Sequence, residues 1–243
     1  MRLNYRSKED MIKEYNEVKE WLDSMMDVPP EEIAEFFEKR SDIYDKSRID
    51  KFQEDYEQIP NLLPEHFKTM LNIGCGSGYE LSAIFSAYPH IEVTGIDKCR
   101  AMLDMFRNRF PEKHIQLLEA DYFQYPFEKA QYDVVISVQS LHHFEYEKKK
   151  KIYKKIYLAT KENGYYYEFD YMAQDDEYEQ MNLDYYRKRR QKYNIPDDMF
   201  VHIDIPLTVE HQIELLKYAG FHTVEVLNKP FLKGNTVFLK AHK

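Results

Sequence analysis

The sequence predicts an α/β fold: a doubly wound, mostly parallel seven-stranded sheet with a terminal antiparallel hairpin, preceded by N-terminal helices and interrupted by an inserted cap. Three observations predict it. From Lys68 onward, short apolar runs alternate with amphipathic ones at about 20–30 residues per unit, the rhythm of βαβ crossovers and a parallel sheet. Leu71-Asn72-Ile73-Gly74-Cys75-Gly76-Ser77-Gly78 carries an apolar strand end into alternating glycines and then an amphipathic helix. Near the C-terminus, runs 223–228 and 236–240 are joined by a short turn containing Pro230 and Gly234. A parallel crossover needs a dozen or more residues, so this last pair must be antiparallel.

Taken in order, residues 1–66 are polar, helix-patterned and free of glycine, with breaks expected at Pro29-Pro30, near Ser47, and at Pro60 and Pro64. They read as an N-terminal helical extension or lid. Within it, Pro30 sits early, acids fill the next turn, and Ile33, Phe36 and Phe37 make an apolar face that must bury against something. The remainder, 67–243, reads as one sheet domain. Its strands are expected at 69–73, 92–97, 115–119, 132–138 and 165–170, with helices at 78–88, 99–109 and 146–159. Residues 171–206, acidic and rich in tyrosine, break the alternation where a cap can be inserted. A helix from Thr208 to Ala219, stopped by Gly220, leads into the closing hairpin.

The 243 residues suffice for one α/β domain with a sizeable core. A net charge of −9 repels polyanions, which makes nucleic acid a poor partner. Cys75 and Cys99 have no spacing partner for zinc and no secretory context, and read as free thiols of a reducing compartment. With no apolar leader and no run of 18 apolar residues, a soluble, cytoplasmic protein is expected, without a membrane partner.

The glycines at positions 74, 76 and 78 let the backbone turn tightly and approach a ligand where a Cβ would collide. The dinucleotide fingerprint needs its third glycine one place later, where Tyr79 stands, so a pyrophosphate is disfavoured. The G-x-G-x-G form, with Ile96-Asp97 ending the next strand, resembles the class I S-adenosylmethionine-dependent methyltransferases, of the small-molecule type. The resemblance runs from about residue 30 to the C-terminus and is most specific over 69–144. It implies S-adenosyl-L-methionine as cofactor and methyl transfer to a small-molecule acceptor by in-line displacement. A tRNA- or RNA-modifying enzyme and a non-catalytic cofactor-binding module are the alternatives.

The site residues lie at the carboxyl ends of strands, where open α/β sheets bind ligands. Gly74, Cys75, Gly76, Ser77 and Gly78 form the cofactor loop. Asp97, followed by Lys98, can accept both hydroxyls of a ribose, or else cap the helix that begins near Cys99; Met102 lies on that helix. By the resemblance, Asp121 accepts from the adenine amino group while Tyr122 holds the ring, and Ser137 and Ser140 approach the methionine part. Tyr44, with Asp45, resembles the helix-end element that lies near the cofactor in this family, and Arg40 is then placed to meet its carboxylate. His142 and His143 follow Ser140 where a general base would reach the acceptor, His143 being the better placed; packing and capping of the following helix is the other reading. Residues 168–204, with their carboxylates and phenols, are expected to line the acceptor pocket. The basic runs Lys148–Lys155 and Arg187–Lys192 read as a solvated lysine face and as a compact patch able to meet phosphate. No metal ligand set is apparent in the sequence.

Overall fold

In the computed structural model, residues 6–228 and 235–243 are described, together with the backbone but not the side chains of 47–50. Pro230 and Gly234 of the expected turn lie outside the described residues. Among these, the sheet has seven strands: β1 (Thr69–Ile73), β2 (Glu92–Asp97), β3 (Ile115–Glu119), β4 (Tyr132–Val138), β5 (Thr160–Tyr171), β6 (Thr223–Val226) and β7 (Thr236–His242). Their spatial order is β3-β2-β1-β4-β5-β7-β6. The first five run parallel, and β7 inserts antiparallel between β5 and β6. The chain leaves β1 toward β2 and β3, then returns to β4 on the other side. That reversal opens a crevice outside the carboxyl ends of β1 and β4.

Side chains alternate across a strand, so each central strand feeds two cores. Leu71, Ile73 and Val135 face one side, where helices α6 (Tyr146–Ala159) and α8 (Val209–Ala219) bury Ile152, Ile156, Leu215 and Leu216. Met70, Val134 and Ile136 face the other, against α3 (Ser41–Leu62), α4 (Leu81–Ala87) and α5 (Arg100–Arg109), through Phe52, Ile59, Ile84 and Phe106. Burial on both faces is why these strands read as continuous apolar runs. No helix among the described residues is long and apolar enough to cross a membrane.

The N-terminal region begins with α1 (Lys8–Met25) and α2 (Ile33–Glu38), separated at Pro29-Pro30 as expected. The expected breaks near Ser47 and at Pro60 do not occur, because α3 runs through both. Phe52, Tyr56 and Ile59, spaced i, i+4, i+7, bury on the sheet side and hold the helix together. Pro60 falls in its last turn, where the missing N–H forfeits one hydrogen bond and the helix ends soon after.

β5 is longer than expected and starts at Thr160, which pairs with Tyr132 before the register shifts. Asn163, at φ 61°, and Gly164 make that irregularity, and their polar neighbours hide the strand start in the sequence. Within 171–206, α7 (Asp176–Lys192) is capped by the Asp175 carboxylate, which accepts from Tyr178 N–H at 2.9 Å. The helix packs Tyr178 and Met181 against Leu22 of α1. Past it, the chain pairs Val201 with Glu32, and Ile33 N–H donates to Phe200 O at 3.0 Å. The N-terminal region and the late segment therefore meet over the crevice.

Candidate functional site

A cavity lies where β1, β2 and β4 end. Its floor is the glycine loop. Gly74, Gly76 and Gly78 have φ of 63°, 48° and 65°, a left-handed path that favours glycine. A Cβ on Gly74 would fall 1.9 Å from Ser140 Oγ, and one on Gly78 would meet the Phe106 ring at 2.8 Å. Gly76 differs, with nothing within 4 Å of its added Cβ. The space above it is open, and a ligand can approach the backbone there.

Asp97 stands over this loop. Its Oδ2 accepts from Gly76 N–H at 2.9 Å and its Oδ1 from Cys99 N–H at 2.8 Å. These bonds tie it to the loop and to the residue before α5, and the same carboxylate also faces the cavity. Burial raises its pKa, opposed by these N–H donors. Asp121 takes Phe123 N–H at 2.8 Å and lines the cavity with Tyr122. Lys155 Nζ binds the carbonyls of Tyr122 and Phe123 at 2.8 and 2.7 Å, so one lysine of the basic helix shapes this loop. Lys149 of the same helix is buried beside Gln212, which corrects the solvated-face reading for those two residues.

Met102, Cys75, Ser77, Ser140 and Tyr44 also line the cavity. Both cysteines are free, as expected, and both are buried. Tyr44 sits in the first turn of α3, with its ring edge-on to Phe37. Asp45 beside it accepts from Ser77 Oγ at 2.5 Å and pairs with Arg109, whose Nε donates to Ser77 O at 3.3 Å. Helix α3 is tied by this clamp to the glycine loop. Lys98 lines the cavity too, but its Nζ is paired with Glu32 at 2.9 Å.

The α2 face finds its burial here. Ile33 and Phe37 roof the cavity, and Phe36 stacks on His202 at 3.5 Å between ring centroids. Phe123, Phe144 and Phe200 complete an aromatic wall. Of the expected acceptor-lining segment 168–204, only Phe200 lines the cavity; the carboxylates and phenols of α7 are spent on α1 and on neighbouring loops.

The two histidines separate. Both are buried in a short 3₁₀ turn after β4, but only His143 lines the cavity. Its Nδ1 lies 3.3 Å from Ile203 O and 3.1 Å from Asp204 Oδ1. His142 is set behind it, with Nδ1 2.5 Å from Asp170 Oδ1 and Nε2 3.5 Å from Asp204 Oδ1. Burial works against a charged His142, but the two carboxylates outweigh it and hold the pKa at about 9. Burial lowers the pKa of His143, and the neighbouring His142 cation lowers it further. The surroundings therefore pull the pair in opposite directions, His142 toward the imidazolium and His143 toward the neutral imidazole.

Several expectations are corrected. His142 does not reach the cavity, because Asp170 holds its ring from behind. Ser137 is fully buried against Tyr166, at 2.7 Å between hydroxyls, and does not line the cavity either. Arg40 turns away, bonding Glu31 and Phe36 O. Of the 187–192 run, Arg189 is buried and donates to Val28 O, Arg190 donates to Met199 O and Lys192 pairs with Asp27, while Arg187, Lys188 and Lys192 remain exposed. Other lining residues were given no role from the sequence. Gln139, at φ 49°, takes a hydrogen bond from Tyr56 at 3.2 Å, and Glu80 is buried with Asn72 Nδ2 at 2.6 Å, its pKa raised by that burial to about 7. No spacing rule marks residues that meet only through tertiary packing. The same holds for the grouping of His142, His143 and Asp204.

Comparison with known proteins agrees with this geometry. Residues 70–164 match the family described as Methyltransferase domain. Over 223 residues the chain is 22% identical to the carboxy-S-adenosyl-L-methionine synthase of Nautilia profundicola, covering 84% of this chain and 94% of that protein. Its fold is similar to the DhpI-SAH complex, with a TM-score of 0.64, 13% identity, and 86% and 93% of the two chains covered. It is also similar to human N-acetylserotonin methyltransferase in complex with SAM, with a TM-score of 0.59, 18% identity, and coverage of 79% and 52%. This chain spans about half the length of that last structure.

Proposed function

The chain belongs to the class I S-adenosylmethionine-dependent methyltransferases, and on that premise we propose that it methylates a small, neutral or cationic molecule by in-line displacement, with His143 as the base. It is an enzyme of that family, and S-adenosyl-L-methionine is its cofactor. The residues present fit that group. The open space over Gly76, which a Cβ would fill, and the carboxylates of Asp97 and Asp121 around it suit an adenosine, while aromatic faces near Tyr44 and Phe37 suit a sulfonium. When bound, the cofactor supplies an electrophilic methyl group.

The observation that carries the proposal is the cavity's make-up. A concave space walled by Phe37, Tyr44, Tyr122, Phe144 and Phe200, with a few polar groups at its floor, has the make-up of small-ligand sites, and no groove for a polymer is needed. Glu80, Asp97 and Asp121 line it, whereas its one lysine, Lys98, is already paired. An anionic acceptor would meet carboxylates without a free counter-charge, so a neutral or cationic one is favoured. His143 ties its Nδ1 to the oxygens behind it, which leaves Nε2 for the pocket. There it takes the proton that an acceptor hydroxyl or amine loses as the methyl bond forms. The aromatic roof excludes water and holds the acceptor in line, the largest source of rate in such a displacement.

The test is transfer from methyl-labelled cofactor into cell extracts separated into small-molecule, RNA and protein fractions. Label in the small-molecule fraction supports the proposal, and label confined to RNA or protein overturns it.

A further inference from the structure

We propose that His142 Nε2, His143 Nδ1 and Asp204 Oδ1 form a binding site for a divalent transition cation such as Zn²⁺, and that the cation switches His143 from base to hydrogen-bond donor. The second half rests on the function proposed above; the first does not.

The geometry is that of a preformed ligand set. The same carboxylate oxygen lies 3.5 Å from His142 Nε2 and 3.1 Å from His143 Nδ1, and all three atoms lie within 4.8 Å of one another. Ligands held about 2.0–2.2 Å from a shared zinc lie roughly 3–3.5 Å apart, which both nitrogen-to-carboxylate spacings already meet. Ile203 O, 3.3 Å from His143 Nδ1, is a further oxygen at the same place. Two imidazoles and one carboxylate suit first-row divalent metals rather than Ca²⁺ or Mg²⁺.

The outer partner is also in place. Asp170 Oδ1 lies 2.5 Å from His142 Nδ1, while Asp170 Oδ2 accepts from Leu141 N–H and His142 N–H at 2.9 and 3.1 Å. A carboxylate fixed in this way keeps the proton on Nδ1 and turns Nε2 toward Asp204, so that a cation displaces only the Nε2 proton, the arrangement found behind metal-bound histidines. Access comes through Asp204, whose side chain is 43% exposed although both rings are buried. Binding takes up the Nε2 and Nδ1 lone pairs and releases whatever protons they carried.

His143 lines the cavity and His142 and Asp204 do not, so the cation sits behind the His143 ring and never touches the acceptor. A metal on Nδ1 leaves the proton of a neutral imidazole on Nε2, facing the pocket. The ring can then donate a hydrogen bond but cannot take a proton. A chelator would restore the base.

The experiment is calorimetric titration of the full chain, stripped with EDTA, with ZnCl₂, alongside CoCl₂ followed by visible absorption. Asp204→Asn is compared with wild type, with His211→Ala as control for a surface histidine, and S-adenosylhomocysteine binding confirms that each variant is folded. Expected are one equivalent bound by wild type and by His211→Ala, and affinity at least about tenfold weaker in Asp204→Asn. Equal affinity in Asp204→Asn, loss in His211→Ala, or no binding to wild type overturns the site. Histidine ¹⁵N spectra with Zn²⁺ should place a proton on His143 Nε2, and methyl transfer should fall and recover with EDTA. Unchanged transfer at saturating Zn²⁺ overturns the switch. Because titration and spectra need no turnover, failure of the acceptor assignment leaves the metal result readable.

Discussion

Gly74 and Ser140 are in such close contact that a single carbon on the glycine would lie 1.9 Å from the serine Oγ. The end of β1 and the turn after β4 thus close on each other, and that closure forms the cavity floor. Gly74→Ala is expected to destabilise the fold by about 1–3 kcal/mol through this collision and its left-handed backbone. Adding Ser140→Gly should recover the collision but not the backbone part. Urea unfolding of the single and double variants checks this.

Gly76→Ala should behave differently. Its Cβ meets no protein atom, so the stability cost is limited to the left-handed φ, about 1–2 kcal/mol. The methyl group instead occupies the ligand's space. Calorimetry should show cofactor binding weakened by more than tenfold, and intact affinity would mean that the cofactor does not lie over this glycine.

Asp97 serves two masters, the loop at Gly76 and the α5 start at Cys99. Asp97→Ala is expected to weaken S-adenosylmethionine binding by about 1–3 kcal/mol, the usual result of leaving buried polar partners unpaired. Lower stability with unchanged affinity would assign the carboxylate to capping alone.

Glu80 should make stability depend on pH. Burial raises its pKa from 4.5 to about 7 in the folded chain. Between those values the unfolded chain gives up its proton and the folded chain keeps it, so stability falls as pH rises through this window. The whole loss is about 3 kcal/mol above pH 7. Glu80→Gln keeps an acceptor for Asn72 and removes the titration. The gain of the variant over wild type should grow from pH 4.5 to pH 7 in urea unfolding, and a constant difference would contradict the assignment.

The clamp of Asp45 on Ser77 and Arg109 joins α3 to the cofactor loop. Asp45→Ala should raise the cofactor's dissociation rate several-fold while leaving the sheet's melting largely intact, measured by stopped-flow release of S-adenosylhomocysteine.

Much of this was legible in the sequence because strand periodicity and glycine spacing are local. The ranges of β1 to β4, the helix ending at Gly220 and the antiparallel closing pair follow from such signals. What escaped depends on contacts distant in sequence. Pro60 reads as a break until Phe52, Tyr56 and Ile59 are seen buried on one side. Ser137 reads as a cofactor contact until the strand's alternation turns it toward Tyr166. Nothing in the sequence links Asp204 to His143, since the chain passes through α7 between them. The candidate carboxylates Asp97 and Asp121 and the three glycines meet at the cavity because the loop and strand ends that carry them are short.

The central claim is that His143 accepts the acceptor's proton in a methyl transfer. Its most direct measurement is the transfer rate of wild type and His143→Ala with the acceptor found by labelling, beside the affinity of each for S-adenosylhomocysteine. The account predicts a rate about 10²–10⁴-fold lower for the variant with nearly equal affinity. Transfer by His143→Ala at the wild-type rate would contradict it.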